Sequence, residues 1–148
     1  YVANLFLGIR FPEGKIYEDI ATNFKLLMNA KILIHTSYTG YCYRQQGIST
    51  TRQGFRIKDF DLIDAANNIL IESKRLNNEK INYFANVKLA RSYFSLLSKI
   101  ALYGFNDDNI DKNDTIKHFT KELRKNFSFL IKITNASKQK DNYDTVMY

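Results

Sequence analysis

Cysteine is nearly missing from this chain: Cys42 is the only one in 148 residues. A lone cysteine closes no internal disulfide, which excludes a disulfide-stapled secreted scaffold and fits a reducing compartment. It has no base nearby in the sequence, so it reads as a small buried residue rather than a nucleophile. Long hydrophobic runs are missing too, and no stretch approaches the ~18 uninterrupted apolar residues of a membrane-spanning helix. Histidine is scarce. His35 and His118 have no second His, Cys or carboxylate at chelate spacing, which argues against a self-contained zinc site. The six glycines are scattered, and none builds a phosphate-cradling loop. Serine-nucleophile motifs are absent. Asp107, Asn109 and Asp111 have the first spacings of a calcium loop, but Lys112 replaces its glycine and His118 its final glutamate. That stretch is a solvated turn between helices.

Charge is present in excess. Twenty-two Lys and Arg against fifteen Asp and Glu leave a net charge of +7. The cations are spread through the chain, with no concentrated basic helix face, zinc-finger spacing or RNA-binding aromatic motif, so nucleic acid is not an expected partner. Solubility, an anionic membrane surface or an anionic nucleotide ligand remain as reasons for the excess.

Periodicity divides the chain into a short β region among helices. Residues 1–9 carry an apolar patch ending at Gly8. Pro12 and Gly14 mark a turn, after which Tyr17, Ile20, Ala21, Phe24, Leu27 and Met28 form one stripe of a helix over about 17–29. Lys31–Thr36 and Tyr41–Gln45, rich in Ile and Tyr, predict two antiparallel strands joined through Ser37-Tyr38-Thr39-Gly40. A polar loop follows. Asp59 is placed to cap a helix reaching about Leu76, Asn78 to open a longer one ended by Gly104, and Ile116, Phe119, Leu123, Phe127 and Leu130 define a last helix fading near Ala136. The expected fold class is therefore α+β, mostly α. Three parts are expected: 1–56, a helical region over 57–136, and a frayed tail over 137–148.

Glu18 and Asp19 stand out. They fall in the first turn of the helix, where the helix dipole favours anions and a carboxylate can accept a proton from something bound in front. Simple complementation of the dipole is the plainer reading of the same placement.

The wording around them adds a second reading. Arg10-Phe11-Pro12-Glu13-Gly14-Lys15-Ile16-Tyr17-Glu18-Asp19, a helix, an Ala30-Lys31 exit and then Tyr43-Arg44-Gln45 resemble the C-terminal part of the catalytic domain of bacterial family 2 (GT-A type) glycosyltransferases. The resemblance covers residues 1–65 well and the remainder loosely. It departs from the family at Gln46, where a second basic residue is common, and at Ser37-Tyr38-Thr39, where an acidic-Pro turn is common. It implies inverting transfer of a sugar from a nucleotide-diphosphate sugar to a glycan, lipid-linked or protein acceptor. In that reading Asp19 is the general base, and Glu18 orients it or the acceptor. Tyr43, Arg44, Gln45 and Ser49 sit at the substrate-binding mouth.

The family's donor site and its Mg or Mn lie in an N-terminal half carrying an Asp-x-Asp motif, which this chain does not contain. The implied object is thus the acceptor-side portion of a longer cytoplasmic enzyme, inactive alone. Its expected partners are that donor-binding half, the inner face of the cell membrane, and a second copy of the chain. The competing expectation is a self-contained basic helical interaction module with no catalysis, in which Glu18-Asp19 is only a helix start.

Overall fold

The computed structural model describes residues 3–42 and 53–144, with side chains described to residue 131. A single 3₁₀ turn at Ala3–Phe6 is followed by α1 (Glu18–Asn29). A second 3₁₀ turn, Ile57–Phe60, leads directly into α2 (Asp61–Arg75). Then come α3 (Glu79–Tyr103) and α4 (Lys112–Asp144). The helices pack in chain order, α1 on α2, α2 on α3 and α3 on α4. No described helix is long and apolar enough to cross a membrane.

Local chemistry accounts for the helix boundaries. The Asn78 side chain accepts from the Ile81 amide at 3.1 Å and opens α3. Gly104, at φ 67°, ends it in a conformation that only glycine adopts cheaply. Asp111 accepts from the Asp114 amide at 2.9 Å and so satisfies the start of α4.

The core lies between α2, α3 and α4. Phe55 and Phe119 are fully buried at its centre, with Leu62, Ala66, Tyr93 and Leu96 around them. Phe55 meets Phe60, Phe105 and Phe119 edge-on, with ring centroids 5.3, 5.6 and 5.7 Å away, a geometry favoured by the ring quadrupoles. The backbone of Phe55 is locked against the end of α3: its N–H donates to Gly104 at 2.8 Å, and its carbonyl accepts from Asn106 at 2.8 Å. Gly54 permits this approach, because a Cβ there would lie 2.9 Å from Asn106 Cβ. The long α3 is sandwiched on two sides and buries Val87, Leu89, Ala90, Tyr93, Leu96 and Ile100.

The structure overturns the α+β expectation. Every regular element among the described residues is helical, and the one bridge, Phe55 with Phe105, is isolated. Residues 31–42, where the first strand and the start of the second were expected, run without regular structure and are exposed throughout. The physical reason is twofold. A two-stranded hairpin is marginal in water without a third strand or a helix packed on it. In addition, Ile32-Leu33-Ile34 is a continuous apolar run rather than an alternating one, so the pair has no single dry face to bury. The Thr36 hydroxyl instead accepts from the Tyr38 amide at 3.1 Å, a local turn that competes with pairing. The remainder of the expected second strand, from Tyr43 to Gln45, lies outside the described residues.

Two further expectations change. The α1 stripe does not point wholly inward: Thr22 and Leu26 are its buried residues, and Leu27 and Met28 are each 41% exposed. Asp59 does not cap α2 from solvent but is fully buried in the preceding 3₁₀ turn.

Candidate functional site

The loop before α1 is held to the helical body by carboxylates near the start of α2. Asp61, buried, takes the Lys15 ammonium at 2.6 Å and the Ile16 amide at 3.1 Å. Exposed Asp64 adds a longer contact to Lys15 at 3.4 Å. Hydrogen bonds to these two carboxylates, Asp61 foremost, raise the Lys15 pKa above its ordinary value.

Behind this tether lies a buried polar cluster. Asp59 accepts from Lys99 Nζ at 2.7 Å, from the Arg56 amide at 2.8 Å and from the Tyr17 hydroxyl at 3.2 Å. The Lys99 side chain is only 7% exposed, so this ion pair is removed from water. Such a pair fixes position more than it adds net stability, and removing one partner leaves a costly charge. Tyr17 is the residue that the cluster positions. It occupies the left-handed region at φ 61° immediately before Glu18, a strained conformation for a side chain of that size. Burial, then the negative charge and hydrogen bond of Asp59, push the Tyr17 phenol up to about 12. The phenol is therefore a standing donor at neutral pH.

This anchoring sets out the carboxylate pair. Glu18 and Asp19 both lie in the first turn of α1, and both are exposed. They address different spaces. Glu18 lines a cleft of about 280 Å³ shared with Lys15, Asp61, Asp64 and Asn68. Asp19 lines another of about 450 Å³, between α1 and α3 and floored by Ile69 of α2. Its walls are Ile20, Asn23, Phe24, Leu27 and Met28 on one side and Ile81, Phe84 and Ala85 on the other, with Lys88 also in its lining. Lys88 is partly buried, and its pKa is lowered; burial is the main cause, opposed by the charge of Asp19 and assisted by Arg91. Adjacent in sequence, the two carboxylates thus face different spaces: Glu18 the polar tether and Asp19 a mostly apolar cleft that Lys88 also lines.

The remaining expected site residues do not join them. Tyr43, Arg44, Gln45 and Ser49 lie outside the described residues. Cys42 is exposed rather than buried. His35 and His118 are exposed as well, with the His118 ring 6.2 Å from Tyr93 and 6.0 Å from Phe119. Among the described residues no three His, Cys, Asp or Glu side chains converge as a metal site. Asp61 and Asp64 are already engaged by Lys15, and Glu18 and Asp19 diverge, so these residues do not fit a divalent cation on their own.

Sequence reasoning missed the Asp59–Lys99 pair, Tyr17 as a positioning residue, and Lys88. The first joins residues 40 positions apart, which no local pattern reveals. For Lys88 a signal existed: it interrupts the apolar series Ile81, Phe84, Ala85 at helical spacing on one face of α3. The chain matches no family model, no curated protein and no solved structure.

Proposed function

We propose that this chain is the acceptor-side portion of a glycosyltransferase that moves a sugar, with inversion, from a nucleotide-diphosphate sugar, and that Asp19 is its general base. The observation that carries the reading is the setting of Asp19. It is an exposed carboxylate on the first turn of a helix whose start is tethered at Lys15, Ile16 and Tyr17, and it opens onto a cleft able to hold a ligand. A base needs that combination of accessibility and fixed position. In the step itself an acceptor hydroxyl oxygen bonds to the anomeric carbon, the bond from that carbon to the diphosphate breaks, and the hydroxyl proton passes to a carboxylate oxygen of Asp19. Glu18, on the neighbouring cleft, orients the loop side of the acceptor. The donor and its Mg or Mn belong to a separate nucleotide-binding half.

The test is release of nucleotide diphosphate from a panel of nucleotide sugars by the full-length enzyme, with Mg or Mn and with an acceptor. Metal-dependent turnover by the intact enzyme and none by the 148-residue chain is the expected result. Turnover by the chain alone, or none by the intact enzyme across the panel, contradicts the reading.

One observation favours the second reading, a helical interaction module without catalysis. The described fold is wholly helical, and Ile32, Leu33 and Ile34 are 71–83% exposed, an apolar run suited to docking. In that case substitution of Asp19 leaves every activity of the intact protein unchanged.

A further inference from the structure

Three features meet where the chain leaves α1. The first is an aliphatic cavity of about 550 Å³. Leu5 of the first 3₁₀ turn, Leu26 and Leu27 of α1, and Ala30 line it, and residues 32–34 complete it. No polar or charged side chain enters this lining. Ile32, Leu33 and Ile34 are themselves exposed, so the cavity is open to solvent.

The second feature is main chain without partners. The Ala30 amide donates to Leu27 at 3.2 Å and closes α1, and the next hydrogen bond is that of the Tyr38 amide to the Thr36 hydroxyl. Among the described residues nothing bonds the N–H and C=O groups of residues 32–35. They form an exposed, β-prone edge of the kind that takes up another strand.

The third feature is charge. No Asp or Glu occurs between Asp19 and Asp59, and every charged residue across that interval is Lys or Arg. Exposed Lys31 adjoins the aliphatic run. Exposed Arg10 adjoins the 3₁₀ turn, donating to the Phe6 and Ile9 carbonyls at 3.1 and 3.0 Å. Glu72, which lines another cleft with Lys25, is already held by Arg75 at 2.9 Å.

Together these features select the occupant. A lipid surface or a small apolar molecule fills the cavity but leaves the main chain of 32–35 unpaired in hydrocarbon, which is costly for every N–H and C=O. A second copy supplies main chain but brings another carboxylate-free segment against Lys31. An extended segment of a partner protein, carrying acidic side chains, meets all three conditions. Its main chain pairs along the edge, and its successive side chains point to opposite faces. Alternate apolar side chains then enter the cavity, and the carboxylates between them reach Lys31.

We infer that residues 32–35 dock an extended segment of a partner protein in which acidic and apolar side chains alternate. The inference goes beyond the transferase reading and does not rest on it, since peptide binding is measured without sugar transfer.

The test is a fluorescence-anisotropy titration of a labelled octapeptide alternating Glu and Val with the 148-residue chain. Its comparators are the Lys-Val counterpart and two N-methylated Glu-Val peptides, one for each set of alternate amides. The Glu-Val peptide binds. The Lys-Val peptide binds at least about fivefold more weakly, because like charges oppose Lys31, and added salt narrows the difference. One N-methylation abolishes binding and the other does not, because a strand pairs along a single edge. Leu33→Ser weakens the Glu-Val peptide by about tenfold or more, the worth of a buried leucine side chain, and leaves the urea midpoint unchanged. Lys31→Glu inverts the preference between the two peptides. Equal affinity for the Glu-Val and Lys-Val peptides, binding that survives both N-methylations, or indifference to Leu33→Ser overturns the inference. Dimerisation on size exclusion that Leu33→Ser abolishes assigns the run to a second copy and also overturns it. Binding to phosphatidylglycerol vesicles with none to the peptide assigns the run to a membrane, with the same result. Binding by the chain but not by the full-length protein shows the run covered from within, and likewise overturns the inference.

Discussion

From Phe55 onward the chain encloses an apolar core, with Ile63, Ile69, Leu89, Leu96 and Phe119 all buried. Residues 31–42 enclose none, with Ile32, Leu33, Ile34, Tyr38 and Tyr41 all more than 70% exposed. Composition does not explain the contrast, since both regions are rich in large apolar residues. Partners do. The helices α2, α3 and α4 offer one another complementary faces, whereas α1 packs on α2 and on the 3₁₀ turn at Ala3–Phe6, and residues 31–42 are exposed throughout. The register of α1 therefore depends on polar tethers at its first turn, through Tyr17 to Asp59 and through Lys15 and Ile16 to Asp61. A region short of apolar partners is positioned by hydrogen bonds, and that positioned end carries the candidate base.

The contrast can be broken by substitution. Phe119→Ala empties the centre of the aromatic cluster and costs about 3–5 kcal/mol, as large-to-small changes at buried aromatics do. Denaturant unfolding should show the loss in one cooperative transition. Asp59→Asn follows closely, because it leaves the buried Lys99 ammonium without its carboxylate, a cost of roughly 3–5 kcal/mol. It differs in kind, since hydrogen exchange should reveal extra loss of protection at residues 15–19. If only the global stability falls, the Tyr17–Asp59 contact does not hold the start of α1.

Tyr17→Phe is milder, about 0.5–1.5 kcal/mol for one hydrogen bond, and it has a pH signature. The folded phenol is held up to about 12, above the ordinary value near 10. Its contribution is thus complete below about pH 10 and is lost as pH rises from 10 through 12. The stability gap between the wild type and Tyr17→Phe should narrow across that window, and a gap independent of pH removes Asp59 and burial as the causes. Leu33→Ser, on the exposed run, should change stability by no more than about 0.5 kcal/mol; a larger loss would mean that the segment packs on the body after all.

The helical part of this architecture was legible in the sequence because its signals are local. Asn78, Gly104 and the spacing of Ile116, Phe119 and Leu123 each act within a few residues. The strand prediction failed for the complementary reason: strands need partners that residue types cannot supply, and Ile and Tyr between 31 and 42 record a preference without a sheet to satisfy it. The carboxylate pair was found at its correct helical position, but its division between two clefts was not. That division depends on where α2 and α3 lie against α1, and so on pairings such as Asp59 with Lys99 that join residues far apart in the chain.

Asp19 is the member of the pair that lines the cleft between α1 and α3. Its most direct test is the sugar-transfer rate of the proposed full-length transferase carrying Asp19→Asn or Glu18→Gln, measured alongside donor binding. If Asp19 is the base, Asp19→Asn lowers transfer by roughly 10²–10⁴-fold, the usual worth of a positioned base, leaves donor affinity unchanged, and exceeds the effect of Glu18→Gln. Retained turnover in Asp19→Asn contradicts that role.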